Sequence, residues 1–170
     1  MAYRAVEIAN QFLKLPGVDG LTQMQLQKLV FIANGWNLAL SGTRLVSEDA
    51  QAWDYGPVYS DLYDHTKFFG REKITRQITP DDNEVARFFL RSPSGKPPYS
   101  ANLSPRESAI VDQVWRRYGS LSGPRLSALT HQPNTPWYLT YKTKGKSSVI
   151  EQDVIQNHYD GLAELAQKAA

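Results

Sequence analysis

Asp61, Asp64 and His65 stand at spacings of three and four, which puts two carboxylates and an imidazole on one side of a helix, where they could begin a divalent-metal site. Such a site needs further ligands and nothing nearby completes it, so a solvated helix face accounts for the same pattern. Thr130-His131 followed by Pro136-Trp137 could set an imidazole beside an indole. A histidine ending a helix is also explained by its donors meeting the last carbonyls. Gly145-Lys146-Ser147 has the ending of a phosphate loop, but Thr140 stands where the first glycine must make the tight turn. His65, His131 and His158 fall in separate segments, and neither H-E-x-x-H nor G-x-S-x-G occurs. The chain has no Cys, which removes disulfides, thiol catalysis and thiolate metal sites. No catalytic residue, no cofactor and no metal is therefore expected, and the protein is expected not to be an enzyme.

Aromatic residues offer a different chemistry. Trp53, Tyr55 and Tyr59 surround Gly56-Pro57, and Phe88-Phe89 stand in a polar stretch. Aromatic side chains dominate the energetics of protein interfaces, so these five are the candidate partner-binding residues. A second reading of the first group has Trp53 plug the core while Gly-Pro sets a corner. Two basic runs, Arg116-Arg117 beside Tyr118 and Lys142, Lys144 and Lys146 after Tyr138 and Tyr141, could track a nucleic-acid backbone. They are equally what a helix C-terminus and a soluble loop carry.

The elements that must position these residues are mostly helical. Val6, Ala9, Phe12 and Leu13 predict a helix over 3–15, ended by Pro16-Gly17. Thr22 with Gln25 predicts a capping box opening a helix over 22–41, whose face is Leu26, Leu29, Val30, Ala33, Trp36 and Leu40 and whose exit is Gly42. Residues 44–54 read as a small hairpin or extended arm, Pro57 as the first residue of a helix reaching Phe69, and Lys73–Ile78 as a half-buried strand. Val85, Phe88 and Phe89 suggest a short element inside a variable segment, 79–102, with a loop over 92–98. Ser104-Pro105-Arg106-Glu107 announces a helix to Tyr118, short helices follow Gly123-Pro124 and Thr135-Pro136, and a last one spans 152–168, burying Val154, Ile155, Tyr159, Leu162 and Leu165. The expected fold is mainly α, a compact helical domain over 1–170 with a minor β hairpin or small sheet.

Composition agrees with that. The 170 residues include 17 Leu, 7 Ile, 10 Val and 6 Phe with a net charge of only +2, which is enough core-forming residues to argue against disorder. A length of 170 residues suits one domain. No stretch reaches the roughly 20 apolar residues of a membrane span, and residues 1–16 lack the apolar region of a secretory signal. The expectation is a soluble, cytoplasmic protein without membrane contact, and a net +2 supplies no basic stripe for nucleic acid.

Several blocks stand in a telling order: Leu26-Gln27-Lys28-Leu29-Val30-Phe31 through Gly35-Trp36, Leu38–Gly42, Trp53-Asp54-Tyr55-Gly56-Pro57-Val58-Tyr59, Tyr118–Ser122, Leu126–His131 and Pro136-Trp137. Together they resemble the Panacea domain family, which includes SocA-like antitoxins and phage-associated proteins of the GepA type. The similarity covers roughly residues 5–160. It implies a toxin-antitoxin system in which the antitoxin binds and neutralises a cognate toxin encoded nearby, in at least one case acting as an adaptor that presents the toxin to a AAA+ protease. Residues 79–102 follow no family motif and are the expected place for partner-specific difference. The alternative is a nucleic-acid-binding regulator of a phage or mobile element, and a third reading is a hydrolase or transferase built on Asp61, Asp64 and His65.

Overall fold

The computed structural model describes residues 1–170. Eight α-helices and one two-stranded hairpin make it up: α1 (Ala5–Leu13), α2 (Gln23–Ser41), β1 (Gln51–Trp53), β2 (Gly56–Val58), α3 (Ser60–Thr66), α4 (Glu84–Phe89), α5 (Pro105–Tyr118), α6 (Gly123–Thr130), α7 (Pro136–Lys144) and α8 (Gln152–Ala169). The fold is mainly α, as the sequence implies. No helix is long and apolar enough to cross a membrane.

Helix α2 is the axis, and α1, α3, α5, α6, α8 and β2 all pack on it. Its start follows from the capping box: the Gln25 N–H donates to Thr22 Oγ1 at 3.2 Å and the Thr22 N–H to Gln25 Oε1 at 2.9 Å, satisfying amides that a helix N-terminus otherwise leaves bare. Gly42 ends it at φ +69°. A single apolar stripe underestimates this helix. Gln27, Lys28, Phe31, Ile32, Asn34 and Asn37 are buried too, as expected of a helix surrounded on all sides, whereas Leu40 is 46% exposed. Helix α8 crosses closely at Gly35, where a Cβ would fall 2.2 Å from the Tyr159 ring.

Three side-chain amides on α1 and α2 stand in for missing strand neighbours. The Asn10 side chain accepts from the Ile78 N–H at 2.7 Å and donates to the Ile78 carbonyl at 2.8 Å. Gln27 does the same for Tyr59 at 2.9 and 3.1 Å, and Asn34 Oδ1 accepts from the Leu45 and Val46 N–H groups at 2.9 and 3.1 Å. Buried backbone groups need partners, and these amides supply them where no sheet exists. This explains one departure from expectation. Residues 73–78 bury Ile74 and Ile78, yet they form no strand: the chain bends at Arg76, Ile74 pairs singly with Leu21, and Asn10 serves Ile78.

A second departure concerns Pro57, which lies in β2 opposite Ala52 and does not begin a helix. Gln27 holds Tyr59 in extended form, so α3 begins at Ser60 and gives way to a 3-10 turn over Lys67–Phe69. The far side of β1 pairs with residues 147–150 through Ala52 N–H to Ser148 O at 2.9 Å and Ile150 N–H to Ala50 O at 2.8 Å. In α8, Ile155 and Tyr159 are buried as expected, while Leu165 is 64% exposed.

Candidate protein-binding surface

The hairpin turn is held by side chains from three helices. Trp137 Nε1 donates to the Trp53 carbonyl at 2.7 Å, His131 Nε2 lies 3.0 Å from the Asp54 carbonyl, and Ser127 Oγ donates to the Tyr55 carbonyl at 2.7 Å. From beneath, Lys28 Nζ donates to the Pro57 carbonyl at 3.1 Å. The Asp54 carboxylate accepts from Lys146 Nζ at 2.8 Å and Tyr141 Oη at 2.7 Å, and these two bonds hold its pKa below the ordinary carboxylate value. His131 packs on the Trp137 indole with centroids 3.8 Å apart. Gly56 is required at φ +112°, since a Cβ there would meet Lys28 Cε at 2.7 Å and Thr130 Oγ1 at 2.9 Å.

Lys28 is 1% exposed with no ion pair, and burial pushes its amine down to about 7. Desolvation favours the neutral amine, which needs fewer partners than an ammonium with three donors. Sequence reasoning passed over Lys28 and Ser127 as functional positions, and weighed Tyr141 only beside the lysine run and not as a partner of Asp54. A signal for Lys28 existed: a run from Leu26 to Ala33 with almost no polar residue leaves no solvent face for it.

The five aromatic candidates separate in the folded chain. Tyr59 has no exposed surface and sits in the core, so it supports the hairpin and is withdrawn as a contact residue. Trp53 is half-buried, its edge against Tyr63 at 5.0 Å and its N–H on Gln51 Oε1 at 2.9 Å. Tyr55 at the turn is 72% exposed, Phe88 83% and Phe89 74%.

Helix α4 carries Val85, Phe88, Phe89 and, just past its end, Leu90, all exposed. Four large apolar side chains within six residues make a patch that the fold does not use, the kind that marks an interaction site. The mount beneath them is well tied. Asn83 Oδ1 caps the helix, Arg76 grips the buried Asp82 with two bonds of 2.7 and 2.8 Å, and Asp81 accepts from Ser94. The Arg87 guanidinium lies 3.5 Å over the Phe68 ring, and Lys67 pairs with Glu84.

The chemistry suggested by the other motifs is not assembled. His65 is not solvated: it is 1% exposed, with Nδ1 on the Asp61 carbonyl at 2.7 Å and Nε2 3.0 Å from Tyr99 Oη. Asp61 pairs with Arg4 and Asp64 with Lys67, and no group of three or more metal-ligating acids or histidines forms. Of the lysine run, Lys144 pairs with Glu151 and Lys146 with Asp54, so two of its three charges are met within the chain.

No solved structure matches the fold. The family model described as "Antitoxin SocA-like, Panacea domain" matches residues 26–138. That span holds Lys28, the hairpin, α4, α6 and the start of α7 with Trp137. Among curated proteins the chain is similar to Antitoxin SocA of Caulobacter vibrioides, 27% identical over 120 residues, which is 69% of this chain and 58% of that protein. The buried Lys28, the Gly56 turn and the Trp137 clamp are thus parts of one matched region, and the chain belongs to the SocA-like antitoxin, Panacea domain, family.

Proposed function

We propose that this chain is the antitoxin of a toxin-antitoxin system, acting in the cytoplasm by binding its cognate toxin directly, without chemistry of its own. The observation that carries the reading is the α4 patch: Val85, Phe88, Phe89 and Leu90 are exposed together on a braced mount. Exposed aromatics of this size gain most when a partner covers them. Tyr55, at the tip of the clamped turn, is the second contact. The scaffold supplies rigidity, so little conformational entropy is lost on docking. Family membership supports the antitoxin role, and the relative's printed name, Antitoxin SocA, supports it further.

Occlusion of the toxin's working surface is the mechanism, and a toxin held in this way could also be handed to a AAA+ protease. Co-expression with the product of the neighbouring gene tests the reading. The expected result is restored growth and a co-purifying complex, both lost in Phe88→Ser/Phe89→Ser. Persistent toxicity with no complex would overturn it.

A further inference from the structure

A second surface is built from different elements. Arg106, Ile110, Val114 and Arg117 fall at spacings of four, four and three, a line along one face of α5. Trp36 and Leu40 of α2 face them, Ala166 of α8 closes one side, and together they bound a groove of about 430 Å³. The floor is apolar: Ile110 and Val114 are almost fully buried beneath it, and Leu40 presents 46% of its surface. Each end carries a guanidinium. Arg106 donates to the Leu40 carbonyl, and Arg117 lies 5.8 Å from the Trp36 ring centre and 5.5 Å from that of Tyr118. Neither joins any of the nine ion pairs in the chain.

We propose that this groove docks an amphipathic helical segment of a partner protein, about three turns long, with an apolar face and a carboxylate near each end. The length follows from the arginines: eleven residues of helix separate them, about 16 Å at 1.5 Å per residue. The charge follows from their lack of acidic partners, since a guanidinium beside apolar surface pairs best with a carboxylate, in a two-bond fork. The apolar floor selects the helix-in-groove mode, with anchors at i, i+4 and i+7. A lysine-flanked segment would bring like charges together at both ends and is selected against. A second copy of this chain fits poorly. Its helix with carboxylates at that spacing is α8, through Asp153 and Glu164, and of the large apolar residues between them Ile155 and Tyr159 are already buried in its own core and Val154 and Leu162 are half-buried.

Two fluorescein-labelled, helix-forming peptides with the same leucine anchors, one ended by Glu and one by Lys, test it by anisotropy on the full chain. The Glu-ended peptide is expected to bind at least about tenfold more tightly, with the difference shrinking as salt is raised. In Arg106→Glu/Arg117→Glu the order of the two peptides should reverse, a gain for the Lys-ended probe that misfolding cannot produce. Equal binding, no binding of either peptide, or an order that survives the reversal would overturn the proposal. So would a concentration-dependent dimer, seen by light scattering and abolished by Leu40→Asp, which would assign the groove to a second copy.

Discussion

Residues 51–59 and 84–91 look alike as strings, each a short segment with two or three aromatic residues beside turn formers. In the folded chain they are opposites. The first has four turn carbonyls bonded by Trp137, His131, Ser127 and Lys28, and of its aromatic side chains only Tyr55 is left largely in water. The second is tied at its base through Asp82 and Asn83, while its apolar side chains touch little else. What distinguishes a scaffold motif from a docking patch is therefore where the backbone's acceptors go, because buried carbonyls must be paired. Aromatic density alone does not separate them.

Damage to the first segment should therefore cost stability, and damage to the second should cost binding. The largest effect is expected from Gly56→Ala, which combines strain at φ +112° with a collision against Lys28 and Thr130; a loss of about 3 kcal/mol is expected by urea denaturation. Trp137→Phe, which strands the Trp53 carbonyl, should cost about 2 kcal/mol in the same assay.

Lys28 makes a pH-dependent contribution whose sign is opposite to that of a paired lysine. Its amine is lowered from 10.5 to about 7 in the fold. Below pH 7 the folded and unfolded chains both carry the proton, and the burial cost is present in full. Between about 7 and 10.5 the unfolded chain binds more protons, so stability rises with pH. Relative to Lys28→Met, the wild type should gain up to about 1.4 kcal/mol per pH unit across pH 7 to 9, measured as urea midpoints in paired buffers. Smallest is the effect of Phe88→Ser/Phe89→Ser on stability. Both rings are mostly in water, and the melting curve should change by less than about 0.5 kcal/mol.

The helices were legible because their signals are local. Thr22 with Gln25, Ser104-Pro105 with Glu107, and Gly42 each fix an end through atoms three or four residues apart. The hairpin region and residues 73–78 were harder to read because their partners are remote side chains. Nothing near Ile78 announces that Asn10 will pair with it, and nothing near Pro57 announces that Gln27 keeps Tyr59 extended. At the surface, Phe88 and Phe89 were readable as apolar residues in a polar stretch. Tyr59 was misread for lack of the same test, since Val58 and Leu62 beside it already belong to the core.

Whether α4 holds the toxin is read by calorimetric titration of the cognate toxin into the wild-type chain and into Phe88→Ser/Phe89→Ser. The expected result is at least about a hundredfold loss of affinity in a variant whose melting temperature is unchanged. An affinity within about threefold of wild type would show that α4 is not where the toxin is held.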